Sequence, residues 1–218
     1  MFAENEKIII LDTETTNDIE CPFAYDIGFC VIDLEGKVYE EHSYVVADVF
    51  LNKELMTSAF FADKIPQYWE DIKSGKRKMR RFKTIKSILR DVCLQYGITK
   101  ICAHNARFDN KSCNTTQRFL TCSKYRYFFP YGIEIWDSLK MAREIFKDDD
   151  DYGKFCFENG FMTKRNQRQY TAEVLYRYLT NNIDFVEEHT GLADCLIEKE
   201  IFCECYRRKN NINGALWG

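Results

Sequence analysis

The stretch KIIILDTETTN, residues 7–17, decides how the rest of the chain is read. Ile8, Ile9, Ile10 and Leu11 form a short unbroken apolar run rich in β-branched residues, which predicts a strand buried on both faces. Asp12 and Glu14 follow where that strand ends. Strand side chains alternate, so this spacing points both carboxylates to one side. Two acids held together at a buried strand end raise each other's pKa and lose hydration, which is costly unless a cation neutralises them. The same residues would equally suit a strand ending in a solvated loop. The rest of the chain has to decide.

The 218 residues suffice for one large domain with a substantial core, and the reading is a single domain over 1–218. Hydrophobic residues make up 45%, with 17 Phe and 13 Tyr but three Pro and ten Gly, a composition that excludes a disordered or linker-rich chain. No apolar run approaches the roughly 18 residues of a membrane span, and the N-terminus lacks a basic-then-apolar export signal. The expected location is therefore the cytoplasm, with no membrane partner. Ten cysteines carry no Cys-x-x-Cys pair and no matching histidine spacing, so they read as reduced, mostly buried thiols rather than zinc ligands. With a net charge of −3, any polyanion must meet a local basic patch.

Phe23–Asp33 and Val38–Val46 read as two further strands, joined at Glu35-Gly36 as a hairpin. Helical spacing begins at Val49 and runs through Leu51, Leu55, Ala59, Ile65, Tyr68, Trp69 and Ile72. The strip Lys73–Lys83, KSGKRKMRRFK, carries seven bases and no acid; it is either a solvated face or a strip that contacts phosphates. An amphipathic helix over Ile85–Tyr96 ends at Gly97. Lys100–Ala103 is a fourth short strand, and His104-Asn105-Ala106-Arg107-Phe108-Asp109 opens a helix behind it. In Lys124–Tyr131, KYRYFFPY, rings alternate with bases, which suits stacking on bases or packing over a core edge. Ile133–Trp136 is the fifth strand, Ser138–Phe146 a helix, and Asp148–Asp151 a solvated turn. Thr171 caps a helix to Leu179, and a long helix over Gly191–Arg208 follows the segment Asn181–Thr190, expected to be mobile.

The acids can now be combined. Asp12 and Glu14 end the first strand, Asp109 follows the fourth, and Asp194 lies on the last helix, five residues after His189. In open α/β sheets, functional groups gather outside the carboxyl ends of the central strands. Four carboxylates around one point are the hard-oxygen set for Mg²⁺ or Mn²⁺, and two such ions would clamp the attacking and leaving oxygens of a phosphodiester. His189, an imidazole titrating near neutrality, needs no metal role and is the natural general base.

Asp12-Thr13-Glu14, His104 through Asp109, and His189-x4-Asp194 occur in the order of the three motifs of DEDDh-type 3′→5′ exonucleases. The sequence resembles that group over about residues 7–205, and the compact chain is similar to bacteriophage-encoded members. The resemblance implies a ribonuclease H-like α/β fold: a mixed five-stranded sheet in the order 3-2-1-4-5 flanked by helices, with a helical and basic insertion around 47–83. It implies two Mg²⁺ or Mn²⁺ held by Asp12, Glu14, Asp109 and Asp194, His189 as base, and Thr13, Thr15 and Asn105 near the 3′-terminal nucleotide. His104 and Phe108 read as structural. The expected activity releases nucleoside monophosphates from the 3′ end of single-stranded DNA, or less favourably RNA, in a bacterial or bacteriophage-infected cell, with a DNA polymerase as a conceivable partner. The competing expectation is a catalytically silent accessory module of this fold that binds single strands or a polymerase. The filled catalytic positions argue against it.

Overall fold

A computed structural model describes residues 6–209. Six strands form one mixed sheet in the order β4-β3-β2-β1-β5-β6. They are β1 (Ile8–Thr16), β2 (Phe23–Ile32), β3 (Val38–Val46), β4 (Lys78–Arg80), β5 (Lys100–Ala103) and β6 (Glu134–Asp137). Only β2 runs against the others: it pairs antiparallel with β1 and β3, while β5 and β6 extend the sheet in parallel. The expected arrangement of the five longer strands therefore holds. The addition is β4, drawn from the basic strip and paired in parallel with β3. Its three residues, Lys78-Met79-Arg80, turn only Met79 toward the core, too short an alternation to stand out in a basic run, and lysine is common on edge strands because it discourages further pairing.

The helices are α1 (Ala47–Phe50), α2 (Lys53–Met56), α3 (Ile65–Ser74), α4 (Phe82–Tyr96), α5 (Ala106–Leu120), α6 (Ser138–Phe146), α7 (Asp150–Glu158), α8 (Ala172–Thr180) and α9 (Gly191–Arg208). The acidic run expected as a solvated turn instead starts α7: the Asp149 carboxylate accepts the Tyr152 amide, which offsets the helix's open donors. Alternation along β1 divides the molecule. Ile9 and Leu11 join a core with α3, α4 and Cys113 of α5, while Ile8 and Ile10 join a core with α6 to α9. All ten cysteines are free thiols, most of them buried, as their unpaired spacing implied. No helix among the described residues is long and apolar enough to cross a membrane.

The second core brings α9 down on β1 and β2. Its first residue, Gly191, lies against Gly28 of β2 so closely that a Cβ on Gly28 would sit 2.1 Å from the Gly191 carbonyl carbon and the Leu192 nitrogen. Backbone on both sides cannot yield as a flexible side chain would. Gly28→Ala is expected to cost at least ~1–3 kcal/mol, the usual range for overpacking, because α9 must lift from the sheet. A denaturant midpoint equal to wild type would contradict this packing.

Candidate active site

The sheet and α9 together place the motif residues. Even-numbered residues of β1 face α9, so Asp12 and Glu14 point where Ile8 and Ile10 do, toward Asp194 in the first turn of α9. Asp109 arrives from α5 and accepts hydrogen bonds from Thr13 at its backbone nitrogen (3.1 Å) and hydroxyl (2.8 Å). These residues line a cavity of about 1250 Å³ with Thr13, Asn105, His189 and Glu198. Ligand atoms of Glu14, His189 and Asp194 lie within 4.8 Å of one another. Asp12 and Asp109 stand outside that tight group, and one Asp109 oxygen is already committed to Thr13.

Crowding shows in the ionisation of the acids. Burial, then Glu198, Asp109 and Asp194, hold Asp12 well above the usual carboxylate range. Burial and Asp194 push Glu14 up to about 9. Burial and Glu187 push Asp194 to about 8, and burial pushes Asp109 to about 7 against the pull of its Thr13 hydrogen bonds. Asp194 also keeps one buried oxygen, Oδ1, without a hydrogen-bond partner. Hard oxygen donors, mutual repulsion and an orphaned carboxylate oxygen suit a divalent cation.

A pH dependence follows from these directions. Each acid binds its proton more tightly folded than unfolded, where carboxylates titrate near ~4. The stability they contribute is complete below that point and is lost as pH rises through the folded values, about 7 to 9. In EDTA, the melting temperature should fall across this window, and Mg²⁺ or Mn²⁺ should restore most of it near the upper end. A flat profile without metal would contradict the crowding.

His189 adopts a left-handed backbone conformation, φ 53°, which a non-glycine residue takes only when its surroundings hold it there. Its ring stacks on Phe61, with centroids 4.3 Å apart and planes 11° apart, and Nδ1 lies 3.7 Å from Glu187. Burial and Lys64 lower its pKa, so the neutral form prevails at neutral pH. Beside it, Lys64 donates to the Glu188 carbonyl (2.8 Å) and Gln67 to the Glu188 carboxylate (3.0 Å). The end of the segment expected to be mobile is thus clamped by Phe61, Lys64 and Gln67. His189 also belongs to an outer group with Glu173 and Glu187. It stands close enough to the acids to be a ligand as well as a base.

A buried charge network sets the start of α9. Asp26, the cross-strand partner of Glu14, uses Oδ2 to accept from Tyr68 (2.7 Å), Arg77 (2.8 Å) and the Gly191 amide (3.0 Å). Arg77 also pairs with Asp71 at 3.0 Å. Arg77 alone among the bases of the strip is therefore interior and cannot meet phosphate, while Lys76 and Lys78 beside it stay exposed. Sequence alone showed a run with no acid in it; the acids come from β2 and α3.

The remaining expectations divide. Asn105 is exposed at the cavity mouth and caps nothing with its side chain, while its backbone nitrogen donates to Asp137. Thr13 lines the cavity, but its hydroxyl is spent on Asp109. Thr15 does not line it: beyond the register shift after Glu14 it is buried, and its carbonyl accepts from Phe60. Phe108, read as core, is half-buried and lines the cavity. His104 is structural: its Nε2 donates to the Tyr170 carbonyl (2.8 Å), which leaves Nδ1 to accept from Ser138 (3.0 Å), and burial lowers its pKa to about 4.

Three features escaped the sequence reading. Glu198, one turn after Asp194, is buried in the same cavity, accepts from the His104 amide (3.1 Å), and is held well above the usual carboxylate range by burial, then by Asp109 and Asp194. The i, i+4 spacing from Asp194 was its only signal. Phe61 gave no signal, because its contact is made only in three dimensions. Arg143 and Lys147 of the α6 end form an exposed basic wall facing the acids.

No protein-family model matches the chain, and no curated protein matches it in sequence. Solved structures do match. The zinc-bound E. coli ExoI–single-stranded DNA complex superposes with a TM-score of 0.64 at 15% identity, covering 95% of this chain and 42% of that one. E. coli Exonuclease I with a dA16 oligonucleotide gives 0.61 at 13%, covering 94% and 42%. A moderately thermophilic Exonuclease I from Methylocaldum szegediense gives 0.56 at 15%, covering 94% and 41%. The chain thus spans about two fifths of the length of these structures, and what it shares with them is the fold: a mixed sheet flanked by helices, of the ribonuclease H-like α/β kind.

Proposed function

We propose that the chain is a metal-dependent 3′→5′ exonuclease that hydrolyses terminal phosphodiester bonds of single-stranded nucleic acid, DNA in preference to RNA, and releases nucleoside monophosphates. The observation that carries this reading is the cavity floor, where Glu14 and Asp194 meet His189 within 4.8 Å beside half-buried Asp12 and buried Asp109. An acid cluster repels phosphate unless cations intervene. Asp12, Glu14, Asp109 and Asp194 are the residues that would hold two Mg²⁺ or Mn²⁺, which when bound neutralise phosphate charge and stabilise the attacking and leaving oxygens.

The chain's own groups supply the rest. Neutral His189 takes the proton from the attacking water, and Glu187, 3.7 Å from Nδ1, stabilises the imidazolium that results. Phe61, Lys64 and Gln67 hold that histidine's segment in place, which makes the 47–83 insertion part of the site's support. Thr13 orients Asp109, Arg143 and Lys147 meet the incoming phosphates, and Asn105 approaches the terminal nucleotide. The single-stranded DNA held in the matched ExoI complex supports DNA as the strand.

Digestion of matched 3′- and 5′-labelled DNA and RNA strands, with and without Mg²⁺, tests the reading. Mononucleotides released from the 3′ end only with metal are expected. Strand binding without hydrolysis under every metal condition would favour a silent binding module instead.

A further inference from the structure

A second concave surface lies beyond the far end of α5. A cavity of about 620 Å³ is lined by Arg81, Lys83, Lys86 and Arg90 of the α4 region, with Gln117 and Tyr125 across from them. Its one carboxylate, Asp48, is occupied in accepting the Phe82 amide at 2.7 Å. Arg90 pairs with its neighbour Asp91. Arg81, Lys83, Lys86, Lys124 and Arg126 have no carboxylate within ion-pairing distance among the described residues. In a chain of net charge −3, this is a concentrated and uncompensated positive surface.

The segment between α5 and β6 forms one rim, and it is fastened rather than loose. Phe128 is buried against Phe82, with ring centroids 4.9 Å apart. Asn114 accepts the Phe128 amide (2.8 Å), Gln117 donates to the Tyr125 carbonyl (3.3 Å), and Lys86 donates to the Tyr127 carbonyl (2.6 Å). From this anchored backbone Tyr125, Tyr127 and Tyr131 project into solvent at 71%, 72% and 107% exposure. A second cavity of about 800 Å³ on the other side of the rim shares Lys86 and Tyr125 and reaches Asn110, the neighbour of Asp109. Rings held open in water beside unpaired cations are the two elements of single-strand binding: stacking platforms and phosphate contacts.

We infer that this face is a track for the single-stranded DNA lying 5′ of the terminal nucleotide. The inference rests on the exonuclease reading for the polarity of the strand, and on the charge and rings for its chemistry. From Asp109 to Gln117 the helix rises about 12 Å, at 1.5 Å per residue. At about 3.4 Å per stacked nucleotide, the track engages strands longer than roughly four nucleotides.

The test measures binding of fluorescein-labelled dT3 and dT20 in EDTA, where no hydrolysis occurs, across a salt series. Two variants address the two halves independently: Arg81→Gln with Lys83→Gln, and Tyr125→Ser with Tyr127→Ser. These side chains are exposed, and a thermal melt checks each fold. The charge variant should lower the dT20 affinity about tenfold and flatten its log–log salt slope by about 1.4, at ~0.7 per lost single-strand phosphate contact. The ring variant should lower dT20 affinity by about tenfold or more with the slope unchanged, since stacking carries no counterions. Both should collapse the preference for dT20 over dT3. Unchanged dT20 affinity and slope in both variants overturns the track and leaves the cavity to another partner, such as a protein. A loss confined to rU20 also overturns it. Wild-type digestion of dT20 with Mg²⁺ is scored separately, so a failed track and a failed exonuclease reading give different results.

Discussion

Asp12→Asn should reduce Mg²⁺-dependent hydrolysis to background while raising the melting temperature of the metal-free protein. Asp12 is half-buried at the cavity wall and held above the usual carboxylate range by loss of hydration and by Glu198, Asp109 and Asp194. An amide there keeps the shape and removes one charge from the crowd, so the fold gains what the site loses. For a domain of this size each kcal/mol of repulsion relieved corresponds to roughly 2–4 °C in Tm. Because the cost of ionising Asp12 grows as pH rises above the ordinary carboxylate range, the stabilisation should widen with pH. Retained hydrolysis would remove the metal reading. A lower metal-free Tm would mean that Asp12 is a structural acid with an unrecognised partner.

His189→Ala should cost roughly 10²–10⁴-fold in turnover, the usual worth of a positioned general base. In the wild type the rate should rise with pH through the histidine's pKa and then level off. Burial and Lys64 put that midpoint below the ordinary 6.5, so the plateau is reached by neutral pH. Added imidazole or higher pH should restore part of the lost rate in His189→Ala and none in Asp194→Ala. The 4.8 Å grouping with Glu14 and Asp194 makes a metal titration necessary beside the kinetics. Unchanged Mg²⁺ affinity identifies a base; a weakened one identifies a ligand. Near-normal turnover with an unaltered pH profile would leave His189 as a helix-entry residue stacked on Phe61.

Much of this was legible from the chain alone because it is local. The run Ile8–Leu11, the hairpin at Glu35-Gly36, the cap at Thr171 and the bounds of Ser138–Phe146 and Gly191–Arg208 are set by patterns within a few residues. The order of the five longer strands followed from a meander and two strand–helix units, since right-handed crossovers leave few alternatives. Asp12 and Glu14 were expected at a strand end but lie within β1, which runs on to Thr16; with Asp109 and Asp194 in the first turns of α5 and α9 and His189 just ahead of α9, all five line one cavity.

What required the tertiary structure was every contact made across elements. Arg77 lay in a basic run that read as a solvated face or a phosphate-contacting strip, yet Asp26 and Asp71, remote or on the preceding helix, draw it into the interior. Glu198 offered the sequence only its i, i+4 spacing from Asp194, but α9 packs so closely on β2 at Gly28 that the acid is buried beside Asp109 and Asp194. Thr15, expected near the terminal nucleotide, is buried away from the cavity, as strand alternation places an odd-numbered residue opposite Asp12 and Glu14. His189 gained Phe61 and Glu188 gained Lys64 from the turn that leads into α3, contacts that local spacing does not announce. Local propensity and spacing determined the elements and the acids at their ends; which charge faces which, and which is denied water, was decided only by packing.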